Sequence, residues 1–186
     1  MSNRVCPWWL GFLLASPLRR LLYSPEDIIK SHISEGMNVL DVGCGMGFFS
    51  LPMARLVGET GRVVCVDLQA RMIKGLLRRA KKAGLSDRID ARVSQNSLML
   101  NDIAGKIDFV LAFAAVHEVS DKELLLSEIG HTMKEEGKLL IAEPKMHVSK
   151  TDFDKTISIA RSVGFEVINN LAIRRSYAML LGKKQG

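Results

Sequence analysis

The sequence lacks the features that would point to a disulfide scaffold, a metal centre or a membrane span. It has three cysteines, Cys6, Cys44 and Cys65, an odd number without the paired Cys/His spacing of a zinc site. Its N-terminal apolar run, residues 5–15, is shorter than the ~20 residues that a membrane-spanning helix needs. We therefore expect no transmembrane helix and no metal, and the few cysteines suit a reducing cytoplasm.

What the sequence does contain is the composition of an ordinary globular domain. Hydrophobic residues make up 47% and charged residues 25% of its 186 residues, which excludes wholesale disorder. This length suits one α/β domain with a short appendage. The 26 Lys and Arg outnumber the 20 Asp and Glu, and the net charge of +6 is a mild excess that favours a solvated surface over an acidic partner.

Residues 1–30 are predicted to form an apolar, helical arm ahead of a main domain at residues 31–186. The run at residues 5–15 resembles a signal-peptide core, but Leu13 stands where a cleavage site needs a small residue and Pro17 follows just beyond. We expect the arm to lie on the body of the protein or on a membrane surface.

Beyond the arm, apolar β-rich runs alternate with helical patterns, which predicts a doubly wound, Rossmann-like α/β sheet of seven strands. The link between the last two strands is too short for a parallel crossover, so these strands should pair antiparallel. The predicted strands are Asn38–Val42, Arg62–Asp67, Ile89–Val93, Ile107–Phe113, Lys138–Glu143, Glu166–Asn169 and Tyr177–Leu181.

Capping residues predict where the later helices begin and end. Ser120 opens one helix as part of a Ser-x-x-Glu capping box, and Gly137 closes it after Glu136. Ser149 opens the next helix, and Gly164 closes it.

The helix after the second strand is predicted from Leu68 to Ala83, with Gly84 at its end. Because the basic face of this helix lacks interleaved aromatic residues, we interpret it as solvated, not as a nucleic-acid platform. Its cations are Arg71, Lys74, Arg78, Arg79, Lys81 and Lys82. In the preceding helix, Pro52 is expected in an early turn or at a kink.

A glycine-rich loop directly follows the first strand and opens a helix. Gly43, Gly45 and Gly47 have GxGxG spacing, whereas a dinucleotide-binding turn of GxGxxG type would need glycine in place of Phe48. This spacing disfavours a nicotinamide cofactor. Asp67 ends the second strand, where a carboxylate can accept both ribose hydroxyls or cap the next helix.

Four blocks in order resemble the class I S-adenosylmethionine-dependent methyltransferases: VLDVGCGMGFFSLPMA, VVCVD, IDFVLAFAAVHEV and GKLLIAEP. The resemblance covers about residues 36–182. It implies the sheet order 3-2-1-4-5-7-6 with an antiparallel last strand, and S-adenosylmethionine as the cofactor.

The resemblance also implies which residues bind the cofactor. The glycine loop would contact its methionine part, Asp67 its ribose, and residues 94–96 its adenine, although many relatives carry an acid in that last segment and this chain does not. The full set is Asp41, Gly43, Cys44, Gly45, Gly47, Asp67, Leu68, Met72, Ser94, Gln95, Asn96, Ala112 and Phe113.

The acceptor of the methyl group is expected to be a small molecule. The element that usually accompanies amino methylation of DNA bases is missing after the fourth strand, and so is the Pro-Cys pair of cytosine C5 chemistry, which makes nucleic acid an unfavoured partner. His117 is a candidate general base, or else a pocket-lining or capping residue. Glu143 is a candidate ligand for a cationic acceptor, or else a salt-bridge partner.

The arm is a candidate lid. Tyr23 would lie near the cofactor and the Trp8–Trp9 pair toward a hydrophobic, aromatic or membrane-delivered acceptor, and closure would exclude water from the transferring methyl group. Alternatively the arm covers the sheet or a dimer interface. Two further alternatives are a non-catalytic S-adenosylmethionine-binding module and, less favoured, a nicotinamide-dependent oxidoreductase. The sequence does not define the oligomeric state.

Overall fold

The computed structural model describes residues 24–94, 97–98 and 100–184. Within these residues, seven strands form one sheet in the order β3-β2-β1-β4-β5-β7-β6, which confirms the predicted order. The strands are β1 Asn38–Val42, β2 Arg62–Asp67, β3 Ile89–Val93, β4 Ile107–Phe113, β5 Met133–Pro144, β6 Phe165–Asn170 and β7 Ser176–Lys183. The α-helices are α1 Pro25–Ile29, α2 Ser50–Leu56, α3 Ala70–Lys82, α4 Lys122–Thr132 and α5 Lys150–Ser162.

Residues 24–94 form one compact unit around three parallel strands. β1 pairs with β2 from Asn38 opposite Arg62, and β2 pairs with β3 from Val63 opposite Ile89. The apolar residues of β1 and β2 are almost fully buried, as expected for parallel strands covered on both faces. The arm up to residue 23, with Trp8, Trp9 and Tyr23, lies outside the described residues.

The helix boundaries in this unit differ from the prediction at one point. α3 begins at Ala70 and its N-cap is Gln69, so Leu68 precedes the helix and the alternative role of Asp67 as N-cap is wrong. Gly84 follows the helix end with φ +67°, a left-handed conformation that ends a helix, which confirms its predicted role. Pro52 is the third residue of α2, the early turn where its missing N–H costs no helical bond.

The later described residues, from 97 onward, form a second compact unit. β5 pairs parallel with β4 and antiparallel with β7, and β7 pairs antiparallel with β6, as predicted for the end of the chain. Ser149 caps α5 by accepting the Asp152 N–H at 3.1 Å and donating its hydroxyl to the Asp152 carboxylate at 2.7 Å, which confirms the predicted start. Gly164, with φ +98°, follows the end of this helix.

α4 and β5 depart from the prediction at both of their junctions. The N-cap of α4 is Asp121 and not Ser120: its carboxylate accepts the Leu124 N–H at 2.9 Å. The helix ends at Thr132 instead of Glu136, and β5 begins at once with Met133, which is fully buried and pairs with Ile107.

Gly137 is a strand residue and not a helix terminator. Register with β4 shifts from Ile107–Met133 to Phe109–Lys138, so β5 bulges at this point. A Cβ at Gly137 would lie 2.9 Å from the Lys134 carbonyl oxygen and 3.0 Å from that of Ile107, a close approach of backbones that only glycine permits. None of the helices in the described part of the chain is long and apolar enough to cross a membrane.

Candidate functional site

The loop from Gly43 to Gly47, called the glycine loop below, is held against the end of β2 by main-chain hydrogen bonds. The Gly43 and Cys44 N–H groups both donate to the Val66 carbonyl oxygen, at 2.9 and 3.1 Å. The loop then turns into α2 through the Gly47 N–H, which donates to the Cys44 carbonyl oxygen at 3.0 Å. This pinning leaves the loop little freedom to slide, so the main-chain groups along it are preorganised.

Asp67 fastens the same loop from the end of β2. Its Oδ2 accepts the Gly45 N–H at 2.9 Å and its Oδ1 accepts the Gln69 N–H at 2.8 Å. Burial raises the pKa of the Asp67 carboxyl, although both backbone N–H groups act in the opposite direction. Each oxygen of an ionised carboxylate has a second lone pair, so Asp67 can hold the loop and still accept two further hydrogen bonds.

Gly45 and Gly47 serve different purposes within the loop. A Cβ at Gly47 would lie 2.4 Å from Cδ1 of Leu76, because the loop packs closely on α3 at this residue. A Cβ at Gly45 would meet nothing within 4 Å, so the main chain there faces open space. Both residues have positive φ, +53° and +83°, which favours glycine. An open main-chain face beside a carboxylate with spare lone pairs fits a ligand that carries ribose hydroxyls.

Two buried polar contacts support the loop from beneath. The Ser50 hydroxyl donates to Asp41 Oδ2 at 2.5 Å, and both side chains are almost fully buried. The Cys44 thiol donates to the Gly45 carbonyl oxygen at 3.6 Å, and the neighbouring Cys65 thiol together with burial raises the pKa of Cys44. Cys44 is therefore a protonated packing residue and not a nucleophile.

Arg79 is a loop contact that sequence reasoning missed. It was placed on the solvated basic face of α3, but it is half-buried and its guanidinium donates to the Met46 carbonyl oxygen. One turn earlier, Gly75 leaves room for the Met46 side chain, since a Cβ there would lie 2.8 Å from Met46 Cγ. The sequence did contain a signal for this contact. Arg79 directly precedes Ala80 of the apolar stripe, so it lies at the edge of that stripe and not at the centre of the solvated face.

The remaining predicted cofactor residues of this unit lie near the ends of β2 and β3. Ser94 is buried and its N–H donates to the Asp67 carbonyl oxygen at 3.1 Å. Leu68 is 43% exposed, whereas Met72 is buried in α3. Gln95 and Asn96 lie outside the described residues.

His117 and Glu143 form a tight pair in the unit from residue 97 onward, called the His117–Glu143 pair below. His117 lies in the short 3-10 helix that follows β4, and Glu143 is the penultimate residue of β5. Glu143 Oε2 lies 2.6 Å from His117 Nδ1, and Glu143 Oε1 accepts the His117 N–H at 3.1 Å. The Glu143 side chain is only 2% exposed, so one residue occupies both oxygens of a buried carboxylate.

The surroundings of this pair favour a protonated imidazole. The hydrogen bond to Glu143 raises the pKa of His117, burial opposes it, and Glu118 adds to the increase while Lys122 reduces it. The ring of His147 lies 5.7 Å from that of His117. Ala112 and Phe113, the other residues predicted here, are buried at the end of β4.

The described residues therefore bring the predicted positions together in two sets. The glycine loop, Asp67 and Ser94 contact one another within residues 24–94, and the His117–Glu143 pair forms within the later unit. No group of three or more His, Cys, Asp or Glu side chains in the described part of the chain is arranged to hold a metal ion. A 260 Å³ cavity includes none of these residues.

Comparison with known proteins gives matches that cover most of the chain. Residues 33–171 match a family model described as a methyltransferase domain. The ubiquinone/menaquinone biosynthesis C-methyltransferase UbiE of Haemophilus ducreyi is 29% identical over 138 residues, 74% of this chain and 51% of that protein. The chain spans about half the length of the curated relatives it matches.

Solved structures show the same fold. A SAM-dependent methyltransferase from Aquifex aeolicus superposes with a TM-score of 0.83 at 25% identity, covering 96% of this chain and 98% of that one. The [4+2]-cyclase SpnF superposes with a TM-score of 0.73 at 19% identity, covering 86% of this chain and 80% of that one. The fold is therefore shared by proteins that are named for different reactions.

Proposed function

Because the chain belongs to the methyltransferase domain family, we propose that it transfers the methyl group of S-adenosylmethionine to a small-molecule acceptor. The family match and the Aquifex structure confirm the resemblance to class I methyltransferases and S-adenosylmethionine as the cofactor. The single observation that carries the proposal is the contact of Asp67 with the Gly45 N–H, which sets a carboxylate beside an open main-chain face.

The chain's own residues fit this cofactor. Asp67 would accept the ribose hydroxyls through its second lone pairs, and the open backbone at Gly45 would let the ligand approach the main chain closely. S-Adenosylmethionine supplies a methyl group on a sulfonium, which leaves as a neutral thioether once an acceptor electron pair forms the new bond to carbon. Such a displacement needs chiefly alignment and exclusion of water from the protein.

Where the chemistry takes place follows from the general behaviour of doubly wound sheets. Ligands bind in these folds beyond the carboxyl ends of the strands. The glycine loop follows β1, Asp67 ends β2, and His117 follows β4. His117 is accordingly our candidate for the group that takes a proton from the acceptor, in place of the pocket-lining or capping role.

The acceptor is proposed to be a small and mainly apolar molecule. The curated relatives are named for C-methylation in ubiquinone and menaquinone biosynthesis, which makes an aromatic ring the first class to test. The apolar arm, with Trp8, Trp9 and Tyr23, supports the same choice if it acts as a lid. Cys44 and Cys65 are both free thiols, which suits a reducing cytoplasm.

The direct test is a methyl-transfer screen with S-adenosylmethionine labelled in its methyl group. The full chain is incubated with phenols, quinols, thiols, amines and short RNA, and labelled product is separated from cofactor. We expect label in an aromatic small molecule and none in RNA. An Asp67→Ala variant in the same screen should lose most of the product.

Two outcomes would contradict the proposal. Binding of S-adenosylmethionine with no transfer to any acceptor class would favour a non-catalytic binding module. Label in RNA alone would place the activity in a different substrate class. A nicotinamide-dependent oxidoreductase is disfavoured by the GxGxG spacing and would reveal itself by NADH oxidation, which the same samples can report.

A further inference from the structure

Resting on the proposed function, we infer that Glu143 is a positioning residue that holds His117 as the Nδ1–H tautomer, and that the acceptor is one whose reacting group must give up a proton. Such acceptors include phenols, enols and thiols. Nucleophiles that carry no proton to lose, such as tertiary amines or halide ions, fall outside this class.

Both carboxylate oxygens of Glu143 contact His117. One of its oxygens accepts the His117 main-chain N–H at 3.1 Å and the other contacts Nδ1 at 2.6 Å. Because the side chain is 2% exposed, an acceptor cation has no access to its carboxylate. The alternative that Glu143 binds a cationic acceptor is therefore disfavoured, and the buried charge is compensated within the protein.

This double contact determines which imidazole nitrogen can react. An ionised carboxylate can only accept hydrogen bonds, so Nδ1 must carry the hydrogen. In the neutral ring, the lone pair then belongs to Nε2. No hydrogen bond engages Nε2 within residues 24–94, 97–98 and 100–184. The arrangement leaves one nitrogen available as a base and fixes the ring about its contact with Glu143, as carboxylates do for catalytic histidines.

The proton balance then selects the acceptor class. The acceptor loses one proton to Nε2 and forms one new bond to the methyl group, while the bond from that methyl group to sulfur breaks and leaves a neutral thioether. His117 changes from neutral to cationic beside the Glu143 carboxylate, so the pair ends with no net charge. A nucleophile without a removable proton would gain nothing from this base.

Other charged groups also affect the pKa of His117, and any test must distinguish their effects from that of Glu143. Glu118, on the same 3-10 helix, raises its affinity for a proton, and Lys122 of α4 lowers it. The exposed His147 ring lies 5.7 Å away, on the segment after β5. Of these groups, only Glu143 makes a hydrogen bond to the ring, so a Glu118→Gln variant is a matched control that removes a nearby charge and keeps the contact.

The first test is nitrogen NMR of the His117 ring, which reports the tautomer without any acceptor. In the unmodified protein above the His117 pKa, we expect Nδ1 to carry the hydrogen. In Glu143→Gln, the single amide oxygen cannot accept both contacts, so we expect a shift toward the Nε2–H tautomer and a lower His117 pKa. Glu118→Gln should lower the pKa and leave the tautomer unchanged.

The results separate this inference from the proposed function. An Nε2–H tautomer in the unmodified protein would overturn the inference, and that measurement needs no variant to fold. Binding of S-adenosylmethionine is followed by calorimetry in the same samples. Its absence from the unmodified protein would contradict the proposed function, whatever the tautomer.

The second test uses acceptors in matched pairs, each phenol or thiol beside its methyl ether or thioether. We expect transfer only to the member with a proton, with kcat rising as pH increases through the His117 pKa. Glu143→Gln should lower kcat about 10²-fold or more and leave the KM for S-adenosylmethionine within a few-fold. Equal transfer to both members of a pair, or an unchanged kcat and pH profile in Glu143→Gln, would contradict the inference.

Discussion

The glycine loop and the His117–Glu143 pair are built in opposite ways. The loop is a contiguous stretch of five residues, held by main-chain hydrogen bonds and by the Asp67 carboxylate at the end of the neighbouring strand. The pair joins two side chains that lie 26 residues apart in the chain, and no local sequence motif predicts their contact. The proposed donor site thus depends mainly on local sequence, whereas the proposed proton-accepting group forms only when the chain has folded.

This difference predicts different consequences of mutation. In the loop, a residue needed for packing lies two positions from a proposed binding residue, since Gly47 packs on α3 while Gly45 faces open space. The hydrogen bonds of the pair join His117 and Glu143 to each other, so we propose that the pair acts on turnover and not on donor binding. Changes in the pair should therefore alter turnover, and changes in the loop should alter affinity or stability.

The largest effect is expected at His117. His117→Ala removes the base and should lower turnover about 10²-fold or more, while affinity for S-adenosylmethionine stays within a few-fold. Single-turnover kinetics and calorimetry on the same variant check the two quantities, with His131→Ala, an exposed histidine of α4, as the control. If affinity and turnover fall together, the two regions are not separable and the assignment of His117 as the base is wrong.

Within the loop, the two glycines should respond differently to the same substitution. Gly47→Val combines positive φ with a clash against Leu76 and should cost about 2–4 kcal/mol of unfolding free energy. Gly45→Val meets no neighbour, so it should cost only the ~1–2 kcal/mol of backbone strain, yet weaken S-adenosylmethionine binding tenfold or more.

Gly84→Val is the matched control for these variants. Gly84 also has positive φ and open space around its Cα, but it lies at the end of α3, outside the loop. Urea unfolding should give Gly84→Val and Gly45→Val similar losses of stability, and only the latter should lose cofactor affinity. Equal binding by the two variants would mean that the open face at Gly45 is not the ligand site.

A smaller effect is expected at Arg79. Arg79→Leu removes the donor to the Met46 carbonyl oxygen and should lower the unfolding free energy by about 1 kcal/mol, with a modest loss of cofactor affinity. Arg78→Leu, the exposed neighbour on the same helix, should leave both within experimental error. If the two variants have the same stability and the same cofactor affinity, the Arg79 contact contributes to neither, as the sequence pattern of a solvated residue predicts.

The smallest effect is a pH dependence of stability that originates in the pair. The folded state raises the His117 pKa, so it binds that proton more tightly than the unfolded chain does. The stability gained is complete below the unfolded pKa of about 6.5 and is lost as pH rises through the folded pKa. His117→Gln should flatten the decline in Tm over this window, whereas an unaltered profile would exclude His117 as its source.

The same contrast explains how much of the structure was predictable. β1 to β4 begin and end at the predicted residues, because their apolar runs and flanking glycines are local signals. Ser149 and Gly84 were identifiable as helix ends for the same reason. GxGxG and Asp67 likewise lie close enough in sequence to be recognised as one site.

The N-cap errors at Ser120 and Asp67 are local shifts of one and two residues, whereas the larger errors involve partners distant in sequence. The pattern at Glu136 and Gly137 is typical of a helix end. The helix nevertheless ends at Thr132, because Met133 pairs with Ile107 of β4 as a strand residue. The local sequence around Glu143 does not indicate whether it meets an acceptor cation or His117. Such outcomes depend on tertiary packing, which overrides local propensity.

The central claim is that Asp67 and the glycine loop bind S-adenosylmethionine, and calorimetric titration of the full chain tests it most directly. We expect a Kd on the order of micromolar for S-adenosylmethionine and no measurable binding of NAD. Asp67→Ala should weaken binding by about 1–3 kcal/mol, roughly 5–150-fold, while the control Asp90→Ala on β3 leaves it unchanged. Tight NAD binding without S-adenosylmethionine binding, or full affinity in Asp67→Ala, would contradict the account.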